Sequence, residues 1–225
     1  MNGSGAAMHL DDPAAFIAAN TACHEPPLIP EIRLHLASEI VPIWQMTEEE
    51  MAEKGLPPPF WAFAWAGGQA LARHILDNPD IVKGLSVLDF GSGSGLVGIA
   101  ARMAGAARVT CADIDPFSVA AIRLNAELND VSVNVVSGDL IDSANPGWDL
   151  VLVGDLCYER PLSERIERWL RGYVAAGTRV LIGDPGRTYL PKTGMEKLVT
   201  YAVKTTRELE DTDVRATSVW QLLEG

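Results

Sequence analysis

A chain of 225 residues that is 48% hydrophobic and 21% charged has room for one domain with a sizeable core and too little for two full ones. Its formal charge of −12 gives a mean field that repels phosphates, which argues against a sequence-independent nucleic-acid binder and suits a basic partner or a small cationic ligand. No apolar stretch approaches the ~20 residues that span a bilayer, and Cys23, Cys111 and Cys157, with no CxxC pair among them, form no disulfide framework and point to a reducing compartment.

The opening "MNGSGAAMHLDDP" lacks the basic and apolar regions of a signal peptide and the arginines of a transit peptide; residues 1–7 read as a fusion scar and are set aside. Residues 1–26 are expected to be a flexible segment, with a short helix over 11–22 that Asp12 caps and Pro13 begins. "HEPPLIPEI" breaks that helix with three prolines. Residues 31–44, "EIRLHLASEIVPIW", alternate and read as a strand or an irregular segment. "TEEEMAEKG" predicts a helix, because Thr47 and Glu50 stand in capping-box register and Gly55 supplies a stop. After the rigid "LPPPF", the stretch "WAFAWAGGQALARHILDNP" becomes helical from about Gly68, with Leu71, Ile75 and Leu76 on one face.

From Gly84 strands and helices alternate. "SVLDFG", "RVTCADID", "VSVNVVSGD", "WDLVLVGD" and "TRVLIGDPG" read as five strands. "GLVGIAARMAG", "PFSVAAIRLNAELN" and "LSERIERWLRGYVAAG" read as helices, and the slot between the third and fourth strands holds only "LIDSANPG". That alternation implies right-handed crossovers and a mostly parallel sheet, an α/β fold. In the tail, "MEKLVTY" looks helical, and "AVKTTREL" and "ATSVWQLL" then predict an antiparallel hairpin around "EDTDVR".

"VLDFGSGSGLVG" places strand, glycine turn and helix in the order of a ligand loop. Glycines let the backbone approach a ligand closely, and the helix start offers free N–H groups. Gly93, Gly95 and Gly98 satisfy the dinucleotide pattern, with Asp113 twenty residues beyond Gly93, so a nicotinamide cofactor is one reading. Asp89, two residues before Gly91, makes the pattern acid-x-Gly-x-Gly-x-Gly. A carboxylate there would be repelled by a pyrophosphate, whereas S-adenosylmethionine offers an amino group and a sulfonium. Asp113, followed by Ile114, is suited to both ribose hydroxyls; Asp139 is placed for the adenine amino group, with Leu140 against the ring. Each acid taken singly is as well explained by capping a helix or turn. Together with the loop, three acids at three successive strand ends mark a cofactor site at the carboxyl edge of the sheet.

These residues resemble a class I S-adenosylmethionine-dependent methyltransferase. The resemblance implies a Rossmann-like seven-stranded sheet of order 3-2-1-4-5-7-6 with a C-terminal antiparallel hairpin. At the fourth strand, amide- and base-amino-methylating members carry Asn/Asp-Pro-Pro-Tyr/Phe. Here "VLVGDLCYER" gives Asp155-Leu156-Cys157-Tyr158, without the prolines, which is similar to the lysine-methylating branch. An amine needs a lone pair and alignment with the methyl group, largely a matter of positioning. Asp155 is the candidate that orients the ammonium and borders the cofactor, and Tyr158 is the candidate wall; capping by Asp155 near Leu162 and packing by Tyr158 are the plain alternatives. Cys157 reads as packing. His9, His24, His35 and His74 have no ligand spacing, so no metal is expected.

"PPPFWAFAWAGGQALAR", "GSGSGLVGIAA", "ADIDPFSVAAIRLNAELN", "GDLCYE" and "LIGDPGRTYLP" together resemble the electron transfer flavoprotein beta-subunit lysine methyltransferases, from about residue 27 to the end. What the resemblance implies is an extension over 27–83 that closes on the cofactor pocket, with Trp65 on its cofactor side or in ordinary packing, ahead of a methyltransferase core over 84–225. It implies S-adenosylmethionine as cofactor and the flavoprotein beta subunit as protein substrate. A monomer without nucleic-acid or membrane partners is expected, in a bacterial cytoplasm or, for a eukaryotic source, the mitochondrial matrix. A methyltransferase for another amine (ribosomal protein or small molecule), a dinucleotide oxidoreductase and a non-catalytic cofactor-binding module remain alternatives. Arg187 and Tyr189, on the active edge, have no assigned role.

Overall fold

A computed structural model describes residues 12–37, 58–205 and 212–224. The predicted helix "TEEEMAEKG" and residues 206–211, which include the first two residues of "EDTDVR", lie outside the described residues.

Helix α1 (Pro13–Asn20) starts where the sequence predicts, with the Asp12 side chain accepting the Ala15 N–H at 3.1 Å. Strands β1 (Ala22–His24) and β2 (Leu34–Leu36) pair antiparallel, Cys23 opposite His35. This corrects the expectation that residues 1–26 are flexible, as far as 12–26 are concerned. Phe16 and Ile17 are buried, Phe16 meets Phe117 edge-on with ring centroids 5.3 Å apart, and the boundary at residue 26 would cut a two-stranded sheet. Apolar burial outweighs the break made by the prolines.

Helix α2 (Ala66–Asp77) begins two residues before the expected Gly68. The core strands are β3 (Ser86–Phe90), β4 (Arg108–Asp113), β5 (Asn134–Ser137), β6 (Leu150–Gly154) and β7 (Arg179–Asp184), followed by β8 (Met195–Lys204) and β9 (Val214–Leu222). Between them run α3 (Leu96–Met103), α4 (Pro116–Leu128) and α5 (Arg160–Ala175). The sheet order is β5-β4-β3-β6-β7-β9-β8. The first five strands are parallel and the last two antiparallel. This is the order that the family resemblance implies. Between β5 and β6 only turns occur.

Alternation along the buried strands fixes both faces. Val87, Leu150, Leu152 and Leu181 join Leu71, Ile75 and Val97 in one core cluster; Leu88, Val151, Val153 and Ile182 join Ile166, Trp169 and Tyr173 in the other. Helices therefore cover both sides, as a parallel sheet requires.

"MEKLVTY" is strand rather than helix. Its Val199, Tyr201 and Val203 are more buried than their neighbours, a period of two, and Met195 to Lys204 pair with β9 across one irregularity at Lys197/Val199. Pairing with a formed neighbour overrides the helical preference of Met, Glu, Lys and Leu.

Candidate active site

The carboxyl ends of β3, β4 and β6 converge on the loop Gly91–Gly95. Gly91, Gly93 and Gly95 all have positive φ (+66°, +52°, +81°), a backbone that side chains disfavour. The loop is held from both sides. Asp113 accepts the Gly93 N–H on Oδ2 at 2.9 Å and the Asp115 N–H on Oδ1 at 3.0 Å. Fully buried Asn125 accepts the His35 N–H at 2.7 Å and donates to the Ser94 carbonyl at 2.8 Å, tying β2 to the loop.

Asp89 lies beneath the loop. It is 1% exposed, and its Oδ2 accepts the Gly98 N–H at 2.9 Å. Burial pushes its carboxyl up to about 7, against the pull of that N–H. A Cβ at Gly98 would run into the Cys111 sulfur, so glycine is what lets α3 approach β3 and β4 closely enough for this bond. Ile114 is 71% exposed beside Asp113. Asp139 accepts the Ile141 N–H at 2.9 Å and faces Arg165 at 3.4 Å. Leu140 packs, half-buried, against the Phe90–Trp169 cluster. The set fits a ligand with ribose hydroxyls, a flat ring and a cationic tail: a carboxylate at the loop, exposed apolar surface at Ile114, and a buried carboxyl under the glycines that a cation would ionise. Among the described residues no group of His, Cys, Asp and Glu is placed to hold a metal ion.

Asp155 follows β6 in a left-handed conformation, φ +58°, which Asp tolerates better than most residues. It is 7% exposed. Its Oδ2 accepts the Gly68 N–H at 2.8 Å and its Oδ1 pairs with Arg187 Nη2 at 3.0 Å. Asp155 thus serves the first turn of α2, not the helix near Leu162; α5 has no side-chain cap. Negative charge at a helix start is favourable. Burial still dominates and pushes the Asp155 carboxyl up to about 7, with Arg187 and the Gly68 N–H pulling the other way. The α2 start lies almost on the strands: a Cβ at Gly67 would overlap the Gly183 carbonyl, and one at Gly154 would come within 3.2 Å of the Gly68 Cα.

Tyr158 is 44% exposed and its ring lies 5.7 Å from that of Phe60. Burial raises its phenol above the ordinary value, so at neutral pH it carries no charge. Trp65 is partly buried at the N-cap of α2; its indole donates to the Phe60 carbonyl at 2.9 Å, and the Arg187 guanidinium stands 5.9 Å from its ring. Cys157 is buried, and burial pushes its thiol up to about 12, which makes it packing rather than nucleophile.

The structure therefore brings Asp89, Asp113 and the loop glycines together on one side, and Asp155, Tyr158 and Trp65 on the other. Four further residues had no role assigned from the sequence. Arg187 is the ion-pair partner of Asp155; its signal was an arginine just after the fifth strand, on the active edge. Gly67 and Gly68 were legible only as two poor helix formers opening a helix. Tyr189 meets the Arg160 guanidinium, 5.4 Å from its ring centre.

A family model described as ribosomal protein L11 methyltransferase matches residues 70–154, less than half of the chain. The electron transfer flavoprotein beta subunit lysine methyltransferase of Homo sapiens is 38% identical over 224 residues, covering 96% of this chain and 84% of that protein. The protein of the same name in Danio rerio is 37% identical over 218 residues, 94% of this chain and 83% of that protein. A crystal structure of a Thermoplasma acidophilum protein, 18% identical, superposes with a TM-score of 0.50 over 69% of this chain and 89% of that one, a likeness of fold.

Proposed function

The chain belongs to the electron transfer flavoprotein beta subunit lysine methyltransferase family, and from that premise we propose that it methylates lysine side chains of the electron transfer flavoprotein beta subunit. S-adenosylmethionine is the cofactor; when bound, it supplies an electrophilic methyl group on a sulfonium. The glycine loop, Asp113 with Ile114, and Asp139 with Leu140 hold its ribose and adenine. Asp89 supports the loop from below, and the cationic end of the cofactor would favour its ionised form. Trp65 closes the pocket from the segment ahead of the core.

The observation that carries the reading is the fixed carboxylate of Asp155. A helix N–H and a guanidinium hold it at the carboxyl end of β6, next to the donor loop. It attracts and orients the substrate ammonium, and Tyr158 supplies a neutral aromatic face to the side chain. Its proton affinity also matters. An ordinary lysine titrates near ~10.4, about three units above this carboxyl. Desolvation on docking lowers the lysine and narrows that gap, so Asp155 Oδ1 or Oδ2 takes the proton in passing or directs it to solvent. Methylation keeps the lysine charge and removes N–H donors.

Asp155→Asn keeps an acceptor for the Gly68 N–H and removes the charge. Methyl transfer is expected to be lost while S-adenosylhomocysteine binding stays within a few fold; full activity in that variant would end the assigned role. A second reading, methylation of a ribosomal-protein amine, draws on the match over residues 70–154; labelled donor in a cell extract separates the two by the band that takes up label. The enzyme is further taken to act as a monomer without nucleic-acid or membrane partners, in a bacterial cytoplasm or a mitochondrial matrix. Its net charge of −12 supports the lack of nucleic acid.

A further inference from the structure

Phe60 has no role in the site as described so far, yet it is 45% exposed at the mouth of the site. Its backbone is fixed. It opens the 3-10 turn Phe60–Ala62, its N–H donates to the Pro58 carbonyl at 2.8 Å, and its carbonyl accepts the Trp65 indole at 2.9 Å. The next residue, Trp61, is 1% exposed and stacks on Phe117 at 6.1 Å. One ring thus anchors the turn inward while its neighbour stays out, a division that packing alone does not call for.

The position of the outward ring joins the two halves of the site. The Phe60 carbonyl lies 3.8 Å from where a Cβ on Gly93 would stand, so the residue sits over the donor loop. Its ring centre is 5.7 Å from that of Tyr158, tilted by 44°, and 6.0 Å from that of Trp65, edge-on. Phe60 and Tyr158 each keep close to half of their surface in solvent. Two partly exposed aromatic rings beside a buried carboxylate suit a long methylene stem that ends in a cation.

We propose that Phe60 is the second wall of the acceptor channel, holding the incoming lysine side chain between its ring and that of Tyr158. The proposal rests on the reading of Asp155 and Tyr158 as the acceptor side. It differs from a donor-side role, in which Phe60 would simply cover the cofactor.

Phe60→Leu keeps apolar bulk and removes the ring; Phe60→Tyr keeps the ring. With electron transfer flavoprotein beta subunit as acceptor, Phe60→Leu is expected to raise KM roughly 3- to 30-fold, the range of an aromatic–cation contact. Phe60→Tyr is expected to stay within about twofold on the same reasoning. The Kd of S-adenosylhomocysteine, measured by calorimetry, should hold in both. An unchanged KM in Phe60→Leu, or a weakened S-adenosylhomocysteine Kd with KM intact, overturns the proposal. If the wild type transfers no methyl to this acceptor, the substrate reading fails by itself. The ring is then tested without turnover, by titrating butyltrimethylammonium into the S-adenosylhomocysteine-bound wild type and Phe60→Leu. Weaker binding to Phe60→Leu supports the wall; equal binding, or none to the wild type, refutes it.

Discussion

Gly67 and Gly68 are adjacent, both in the first turn of α2, and the structure predicts opposite outcomes for alanine at the two. At Gly67 an added Cβ would overlap the Gly183 carbonyl oxygen, stand 2.7 Å from that carbonyl carbon and 2.6 Å from Asp155 Oδ2. Carbon contacts settle near ~3.5 Å, so α2 would have to lift by about 1 Å from β7, and backbone is what resists. Overpacking of this kind costs about 3 kcal/mol, and at roughly 2–4 °C per kcal/mol for a chain of this size the melting temperature of Gly67→Ala should fall by about 6–12 °C. At Gly68 the nearest atom to an added Cβ is Val97 Cγ2 at 3.8 Å, an ordinary contact. Alanine there gains helix propensity, up to about 1 kcal/mol, or about 2–4 °C upward. Thermal melts of the two variants beside the wild type decide it. A shift of the same sign and size in both would refute the close seating of α2 on β7, and with it the placement of Asp155 at the helix start.

Asp89 makes stability depend on pH. Its carboxyl is raised from 3.8 to about 7 in the fold, so between those values the native chain holds a proton that the unfolded chain has released. Its contribution is full below pH ~4 and is lost as pH rises through ~7, a span on the order of 4 kcal/mol at ~1.4 kcal/mol per unit. Asp155, raised to about 7 as well, adds a decline of the same sign, so ligand-free urea melts from pH 4 to 8 should show a shallower fall in Asp89→Asn than in the wild type; parallel profiles would contradict the Asp89 share. The thiols give a simpler test. Cys23 is exposed, while Cys111 and Cys157 are buried and burial raises both thiols. A thiol-reactive dye should therefore titrate one cysteine per native chain and all three after denaturation, and fast reaction of a second native thiol would contradict the packing around β4 and β6.

The sheet and the donor side were legible because their signals are local. Buried strands announce themselves by runs such as "VLVG", the first helix start by Asp12 with Pro13 after it, and the loop by its glycines and Asp89. What was not legible depends on distant partners. The Gly68 N–H reaches Asp155 across 87 positions and Arg187 reaches it across 32, so no window around "DLCYER" shows that the carboxylate is already held. Strand β8 was missed for the same reason: its composition favours helix, and only pairing with β9 reveals it. Residues 12–26 looked flexible because prolines follow them, and the contacts that order them lie on α4, about a hundred positions away.

The proposed reaction is delivery of a methyl group to lysine under the direction of Asp155. It is tested most directly by incubating the chain with radiolabelled S-adenosylmethionine and purified electron transfer flavoprotein beta subunit, then mapping the labelled peptide. Label is expected on lysine with the wild type and none with Asp155→Asn, while both bind S-adenosylhomocysteine. Label on a residue other than lysine, or undiminished transfer by Asp155→Asn, would contradict it.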